Sequence, residues 1–355
     1  MKCKLIDALN KLRAHLANAL ALSVCLCASA CPIHAQHSET YIVPVTAVTA
    51  DGKPVTNLQS QNVRLQSRDL QVDGFSLDTN PRRIVLLFDI SGSMGMSNGR
   101  VNLLQAAVHT AALFLDRVSP IDSISVHVFA EKEREVVPFT HNLGAIRAGM
   151  MNMPKPGSEE IKKEYGARTD LGNALNSILA VLSEKPQFGD AIIIFSDGLF
   201  PRSNEGDILN YYDQPDYLLR AMPQLGTLGV RVFFSLAGTI RGAPPLHGIE
   251  LFIGATGGES FELQDSGSSF YGPINPHQSY DRPKAPIYRS DSLEQRALAL
   301  SAAIRDTYRL QLEFRRPLEK PTRLRLALVD ERGKVLHDVA ALSPTFVYPK
   351  AKTQP

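Results

Sequence analysis

Two short runs of consecutive apolar residues each deliver an aspartate. Ile84-Val85-Leu86-Leu87-Phe88 leads into Asp89, and Ile192-Ile193-Ile194-Phe195 leads into Ser196-Asp197. Apolar runs of this length, bounded by turn residues, predict central strands of a parallel sheet buried on both faces. Around them the hydrophobic period alternates. Val101, Leu104, Val108, Ala111, Leu115 and Val118 share one helical face, predicting a helix over 99–118. Strands follow at 123–130 and, shorter, at 136–139. Residues 155–167 are rich in Pro, Gly and charge and read as a loop. Thr169-Asp170 then opens a helix with Leu171, Ala174, Leu175, Ile178 and Leu182 on one side, either residue being a competent N-cap. Beyond Asp197 the pattern predicts a helix near 215–225, a strand at 230–234, a short helix at 247–254 and a strand at 259–262. Alternation of this kind predicts an α/β fold, doubly wound, with a mostly parallel sheet and helices on both faces.

The flanks have a different period. Tyr41, Val43, Val45 and Ala47 alternate with polar positions, Asp51-Gly52 is a hairpin-type turn signal, and Val63-Arg64-Leu65-Gln66 alternates again. Pro44 and Pro54 predict edge strands there, because proline cannot donate to a ladder. Residues 265–290, rich in Ser, Gly, Pro, Tyr and His, read as a long loop. Asp291-Ser292-Leu293-Glu294 resembles a capping box opening a helix to about Arg305. After it Tyr308, Leu310, Leu312 and Phe314 face one way and Arg309, Gln311, Glu313 and Arg315 the other. Leu324, Leu326 and Leu328 alternate likewise, and Glu331-Arg332-Gly333 turns the chain into residues 335–339 as a hairpin. Neither terminal segment can bury its apolar face alone. Residues 40–78 and 307–348 are therefore expected to pair into a small β-sandwich beside an α/β domain spanning 82–306.

Composition adds a location. Of the 355 residues 44% are hydrophobic, enough for a sizeable core. Residues 1–35 join a basic stretch (Lys2, Lys4, Lys11, Arg13) to an apolar one (Leu16 to Ala28) and end in small residues, the pattern of a secretory signal peptide. That segment carries a net +3 of the formal +2, leaving about −1 on the remainder, which is no nucleic-acid footprint. All four cysteines (Cys3, Cys25, Cys27, Cys31) fall within it, so the remaining chain is free of thiols, as suits an oxidising compartment. Export to the periplasm or outside the cell is the expectation. A lipid anchor at Cys31 is the one membrane attachment the pattern offers, although Ala28-Ser29-Ala30-Cys31 lacks a leucine three positions before the cysteine.

The candidate chemistry lies at the two strand ends. In open α/β sheets ligands bind beyond the carboxyl ends of the strands. Asp89, Ser91 and Ser93 at one end and Asp197 at the other supply hard oxygen donors, which suit Mg²⁺ or a similar divalent ion. Asp89-x-Ser91-x-Ser93, then Thr169, then Asp197 resembles the metal-ion-dependent adhesion site of von Willebrand factor type A domains, all five positions matching in order. The resemblance spans about residues 82–306 and implies a Rossmann-like fold. It implies that Ser91 and Ser93 bind the ion through their hydroxyls. Asp89 would bind directly or through water, Thr169 directly when a partner is engaged, and Asp197 mainly through water. Mg²⁺ is the expected ion, with Mn²⁺ and Ca²⁺ as alternatives. More loosely, Asp-Gly-Lys-Pro-Val (51–55) and Tyr-Arg-Leu (308–310) resemble an exported acidobacterial subgroup of the family.

The function expected is an exported, non-enzymatic protein-binding module whose ion engages an Asp or Glu of a partner, a cell-adhesion or interaction role. A structural or assembly subunit with a folding-related metal is the alternative. A Mg²⁺-dependent phosphotransferase using Asp89 as nucleophile would want a second acid two residues on, and Ser91 stands there. No Gly-x-x-x-x-Gly-Lys-Ser/Thr loop is present. The histidines beyond His37 show no ligand spacing and read as packing or surface residues, and no catalytic residue is expected. The charged run Glu159 to Glu164 reads as a solvated loop bordering the site.

Overall fold

Asp89 ends one strand of a seven-stranded sheet and Asp197 directly follows the last residue of its neighbour. The computed structural model describes residues 39–49, 53–66, 70–95, 102–166, 169–197, 216–236, 247–263, 287–290, 292–314 and 316–350. In chain order the strands and helices are β1 (Glu39–Thr49), β2 (Val63–Leu65), β3 (Leu70–Leu77), β4 (Arg83–Asp89), α1 (Leu103–Leu115), β5 (Ser123–Phe129), β6 (Glu133–Thr140), α2 (Leu143–Met151), α3 (Glu159–Tyr165), α4 (Leu171–Glu184) and β7 (Ala191–Ser196). They continue as α5 (Asp216–Leu228), β8 (Arg231–Leu236), α6 (His247–Thr256), β9 (Ser260–Leu263), β10 (Ile287–Ser290), α7 (Leu293–Arg305), β11 (Thr307–Phe314), β12 (Thr322–Arg323), β13 (Leu326–Leu328), β14 (Val339–Leu342) and β15 (Phe346–Val347).

The large sheet runs β10-β9-β8-β7-β4-β5-β6, parallel except for β6 at its edge. From β4 the chain winds outward through β5 and β6, then returns to the other side of β4 and proceeds through β7 to β10. The order therefore reverses between β4 and β7, and the crevice of a doubly wound sheet opens at such a switch point. The apolar runs work as expected: every residue of Ile84–Phe88 and Ile192–Phe195 is buried. Ile84, Leu86 and Phe88 pack under α1 and α7, with Ala111, Phe114 and Leu300 among their neighbours. Val85, Leu87, Ile192 and Ile194 pack on the other face with Leu175, Ile178 and Leu182 of α4 and Leu225 of α5.

The terminal segments also pair. Tyr41 to Val45 of β1 lie opposite Leu312 to Tyr308 of β11, in a four-stranded antiparallel sheet ordered β14-β1-β11-β3. Two short pairs, β12 with β15 and β13 with β2, contribute Val347 and Leu328, and Leu324 between β12 and β13 joins them in a shared core with Val43, Val45, Leu310 and Leu312. The described residues from Glu39 onward form one compact unit. No helix among the described residues is long and apolar enough to cross a membrane.

Several local expectations are corrected. Residues 155–167 are not all loop: Ser158 caps α3 by accepting from the Ile161 amide at 3.3 Å, and Ile161 and Tyr165, one turn apart, anchor the helix in the core. The helix α2, capped by Asn142, was not anticipated. Part of the 265–290 segment forms β10, a parallel partner of β9 at the sheet edge. Pro44 lies in an interior strand rather than at an edge. The neighbour β14 pairs only with Thr46–Thr49, so the missing N–H of Pro44 costs no bond on that side. The hairpin around Gly333 closes with a Val329–Val335 bridge, but its arms then diverge, β13 to β2 and β14 to β1. The leader 1–35 with Cys31, the first turn of the 99–118 helix and most of 265–290 lie outside the described residues.

Candidate metal centre

The carboxylate of Asp89 is built into the end of β4 with no exposure to solvent. Its Oδ1 accepts the backbone N–H of Ser91 at 2.8 Å, and its Oδ2 accepts the hydroxyl of Ser196 at 2.7 Å. The amide of Ile90 still donates to Phe129 at the end of β5 (2.9 Å), extending the ladder by one residue before the chain leaves the sheet. Gly92–Gly95 then form a 3-10 turn, closed by the Met94 amide on the Ser91 carbonyl (3.1 Å) and pinned by the fully buried Met94 side chain. This turn brings the hydroxyls of Ser91 and Ser93 to 3.1 Å of each other. Asp89, Ser91 and Ser93 are thus joined into one cluster of oxygens.

Asp197 follows Ser196 at the end of β7 and is also buried. Its charge is felt at Asp89. The Asp89 carboxyl is pushed up to about 6 in all: burial raises it, hydrogen bonds from Ser196 and Ser91 offset part of the rise, and the Asp197 carboxylate adds a little to it. Among the described residues no lysine, arginine or histidine pairs with Asp89. Thr169 is half-buried just before α4. It is tied to the same end of the sheet because the Asp170 amide donates to Ala130, beyond β5, at 2.7 Å. Among the described residues no hydrogen bond is seen from Thr169 to Asp89, Ser91 or Ser93. Asp170 is the N-cap of α4, accepting from Asn173 N–H at 2.9 Å, the cap role open to either residue in the sequence.

Two contributors were not anticipated. Ser196 braces Asp89 from the neighbouring strand, and the loop before α3 braces the serine turn. Pro156 and Gly157 lie against Gly95 and Gly92, close enough that a Cβ on Gly157 would stand 3.4 Å from the Gly92 Cα. The donor set fits a hard divalent ion. It offers two buried carboxylates, one held up in its protonation by desolvation, beside paired hydroxyls that leave an ion electron-poor. No group of three His, Cys, Asp or Glu side chains with metal-holding geometry occurs among the described residues, so any ion here would depend on the serine and threonine oxygens.

A second polar cluster resembles a nucleophile with a base and an orienting acid. Ser125 Oγ lies 3.1 Å from His127 Nε2, and His127 Nδ1 lies 2.6 Å from Glu133 Oε1. The Ser125 side chain is fully buried between the sheet and its helices, out of reach of any substrate. The cluster is a satisfied packing network, consistent with His127 read as a packing residue.

Residues 84–199, from β4 past the end of β7, match the family model for the von Willebrand factor type A domain. The α/β part of the chain therefore has a von Willebrand factor type A-like fold, a class that commonly serves as a protein-interaction module. No curated protein matches the sequence. Among solved structures the chain is similar to a von Willebrand factor type A protein from Catenulispora acidiphila, with 12% identity over 89% of this chain and 74% of that one (TM-score 0.43). It is also similar to an aerotolerance-related membrane protein from Bacteroides fragilis, with 15% identity over 63% and 98% of the two chains (TM-score 0.41). BatB from Bacteroides thetaiotaomicron is 19% identical over 43% of this chain, which spans 65% of that protein's length (TM-score 0.34). At such scores these likenesses add nothing to what the family model shows.

Proposed function

We propose that the protein is an exported, non-enzymatic binding module that engages a carboxylate of a protein partner through a divalent ion, Mg²⁺ by preference. Asp89, Ser91, Ser93, Thr169 and Asp197 would hold it. The observation that carries the reading is the oxygen cluster at the switch point, where the buried Asp89 carboxylate and the Ser91–Ser93 hydroxyl pair meet at the end of β4. A divalent ion bound there supplies a positive centre with a coordination position that an outside Asp or Glu can fill.

The chain's own residues do the rest. Asp89 and Asp197 balance charge from below, and the neutral hydroxyls of Ser91 and Ser93 do not quench the attraction for an incoming carboxylate. Gly92 is exposed at the crest of the turn, leaving the approach uncluttered. Ser91 takes the place where a phosphotransferase would want its general acid, which speaks against turnover. Export rests on the N-terminal pattern and on the thiol-free remainder of the chain.

The test is capture of envelope proteins on the immobilised chain in Mg²⁺. Retention that is released by a chelator and lost in Asp89→Ala is the expected result. Retention indifferent to both removes the ion from the binding reaction.

A further inference from the structure

Ser196 is the last residue of β7, with no exposure to solvent. Strands β4 and β7 are parallel neighbours with Phe88 in register with Phe195, and those two rings stack with centroids 4.6 Å apart and planes within 9°. The register continues past the rings and sets Ser196 beside Asp89. The Ser196 hydroxyl donates to Asp89 Oδ2 at 2.7 Å while the Ser91 N–H holds Oδ1 at 2.8 Å. Each oxygen of the carboxylate is therefore held from a different chain segment, one from its own turn and one from the neighbouring strand. Rotation about Cβ–Cγ would break both bonds, and a buried carboxylate stripped of a donor is expensive.

We infer that Ser196 is a positioning residue of the divalent-ion site. It fixes the plane of Asp89 beside the turn that carries the Ser91 and Ser93 hydroxyls. Outer-shell partners of this kind set the orientation and strength of a ligand without touching the ion. The inference rests on the metal reading of the site. Its difference from a mere packing role is that the hydroxyl matters, whereas the volume does not. Serine to alanine removes the donor with little change of shape, and threonine restores it.

Mn²⁺ titrations of the full chain, followed by electron paramagnetic resonance, compare the unaltered protein with Ser196→Ala, Ser196→Thr and Asp89→Ala. The thermal midpoint of each is measured without metal to show that it is folded. The expected result is Mn²⁺ affinity about 10-fold or more weaker in Ser196→Ala, in line with outer-shell losses elsewhere, and recovered in Ser196→Thr. Should Ser196→Ala fail to fold, Ser196→Cys, similar in size with a weaker donor, takes its place with the same expectation. Equal Mn²⁺ affinity in Ser196→Ala and the unaltered protein, with Asp89→Ala inactive, overturns the role of Ser196 and leaves the metal site standing. A folded Ser196→Thr as weak as Ser196→Ala overturns the hydroxyl as the cause. No Mn²⁺ binding by the unaltered protein overturns both this inference and the metal reading.

Discussion

Arg231 donates from Nη1 to the carbonyl of Ala303, 2.7 Å away, near the C-terminal end of α7. The same carbonyl accepts the hydroxyl of Thr46 in β1 at 3.0 Å, so one peptide oxygen ties the large sheet and the antiparallel sheet together. Arg231 also donates to Thr307 (2.7 Å) and, through Nε, to Gly257 (2.9 Å), and its guanidinium lies over the Phe233 ring. Burial pulls its pKa down to about 9, leaving it cationic at neutral pH, where the carbonyl end of a helix favours positive charge. Arg231→Met keeps bulk but strands these acceptors. The expected loss is about 3 kcal/mol or more, since bonds to a charged donor are each worth ~1.5–3 kcal/mol, read as a lower midpoint in urea.

Glu259, buried next to this seam, gives a pH dependence. Burial pushes its carboxyl from 4.5 up to about 8, only partly opposed by Arg231. The folded protein then holds a proton that the unfolded chain has released, so stability must fall as pH rises from about 4.5 to about 8. The slope is up to ~1.4 kcal/mol per pH unit for one proton. Arg231 stays charged across that window, and the other carboxyls raised by burial act equally in both proteins compared. Glu259→Gln should lack this part of the slope. Parallel stability–pH curves for the two proteins would contradict the assignment.

Gly226 and Tyr348 should show a reversal of sign. A Cβ on Gly226 would meet the Tyr348 ring at 2.3 Å, because residues 343–348 strap back over α5 and α6, with Thr345 bonded to the Gly254 carbonyl (3.1 Å). Gly226→Ala should destabilise the unaltered chain. In a Tyr348→Ala background the same change should stabilise by up to ~1 kcal/mol, the helix preference of alanine over glycine. A double-mutant cycle by thermal unfolding measures both signs.

The turn that bears the serines should depend on a segment that sequence pattern read as loop. Gly157 has φ +71°, where an alanine costs about 1 kcal/mol, and it lies against Gly92. Gly157→Ala should lower the thermal midpoint and weaken Mn²⁺ binding although every proposed ligand is intact. Unchanged Mn²⁺ affinity would separate this loop from the site.

What could be read in advance follows from the range of each interaction. The runs before Asp89 and Asp197 were legible because strands buried on both faces need no partner to show their pattern. The local cluster of Asp89, Ser91 and Ser93 was legible because its spacing falls within a single turn, whereas Thr169 and Asp197 enter the set through the family resemblance. The helix α3 was hidden by composition, although Ser158, the acidic Glu159 and Glu160 in its first turn and Lys162 and Lys163 in its last were a complete set of end signals. Ile161 and Tyr165, spaced i,i+4, were too few to register as a period. The interior place of β1, the splayed hairpin arms and β10 depend on partners distant in the chain. So does the bond from Ser196 to Asp89, 107 residues apart: a serine beside an aspartate at a strand end gave the signal, but only the strand order says which carboxylate it meets.

Scanning calorimetry of the folded chain with and without Mg²⁺ or Mn²⁺, repeated on Asp89→Ala, bears most directly on the oxygen cluster as a divalent-ion site. The metal should raise the unfolding midpoint of the unaltered protein in a concentration-dependent way, as any ligand selective for the folded state must, and leave that of Asp89→Ala unmoved. A midpoint indifferent to both ions at millimolar concentration, or an equal rise in Asp89→Ala, would contradict it.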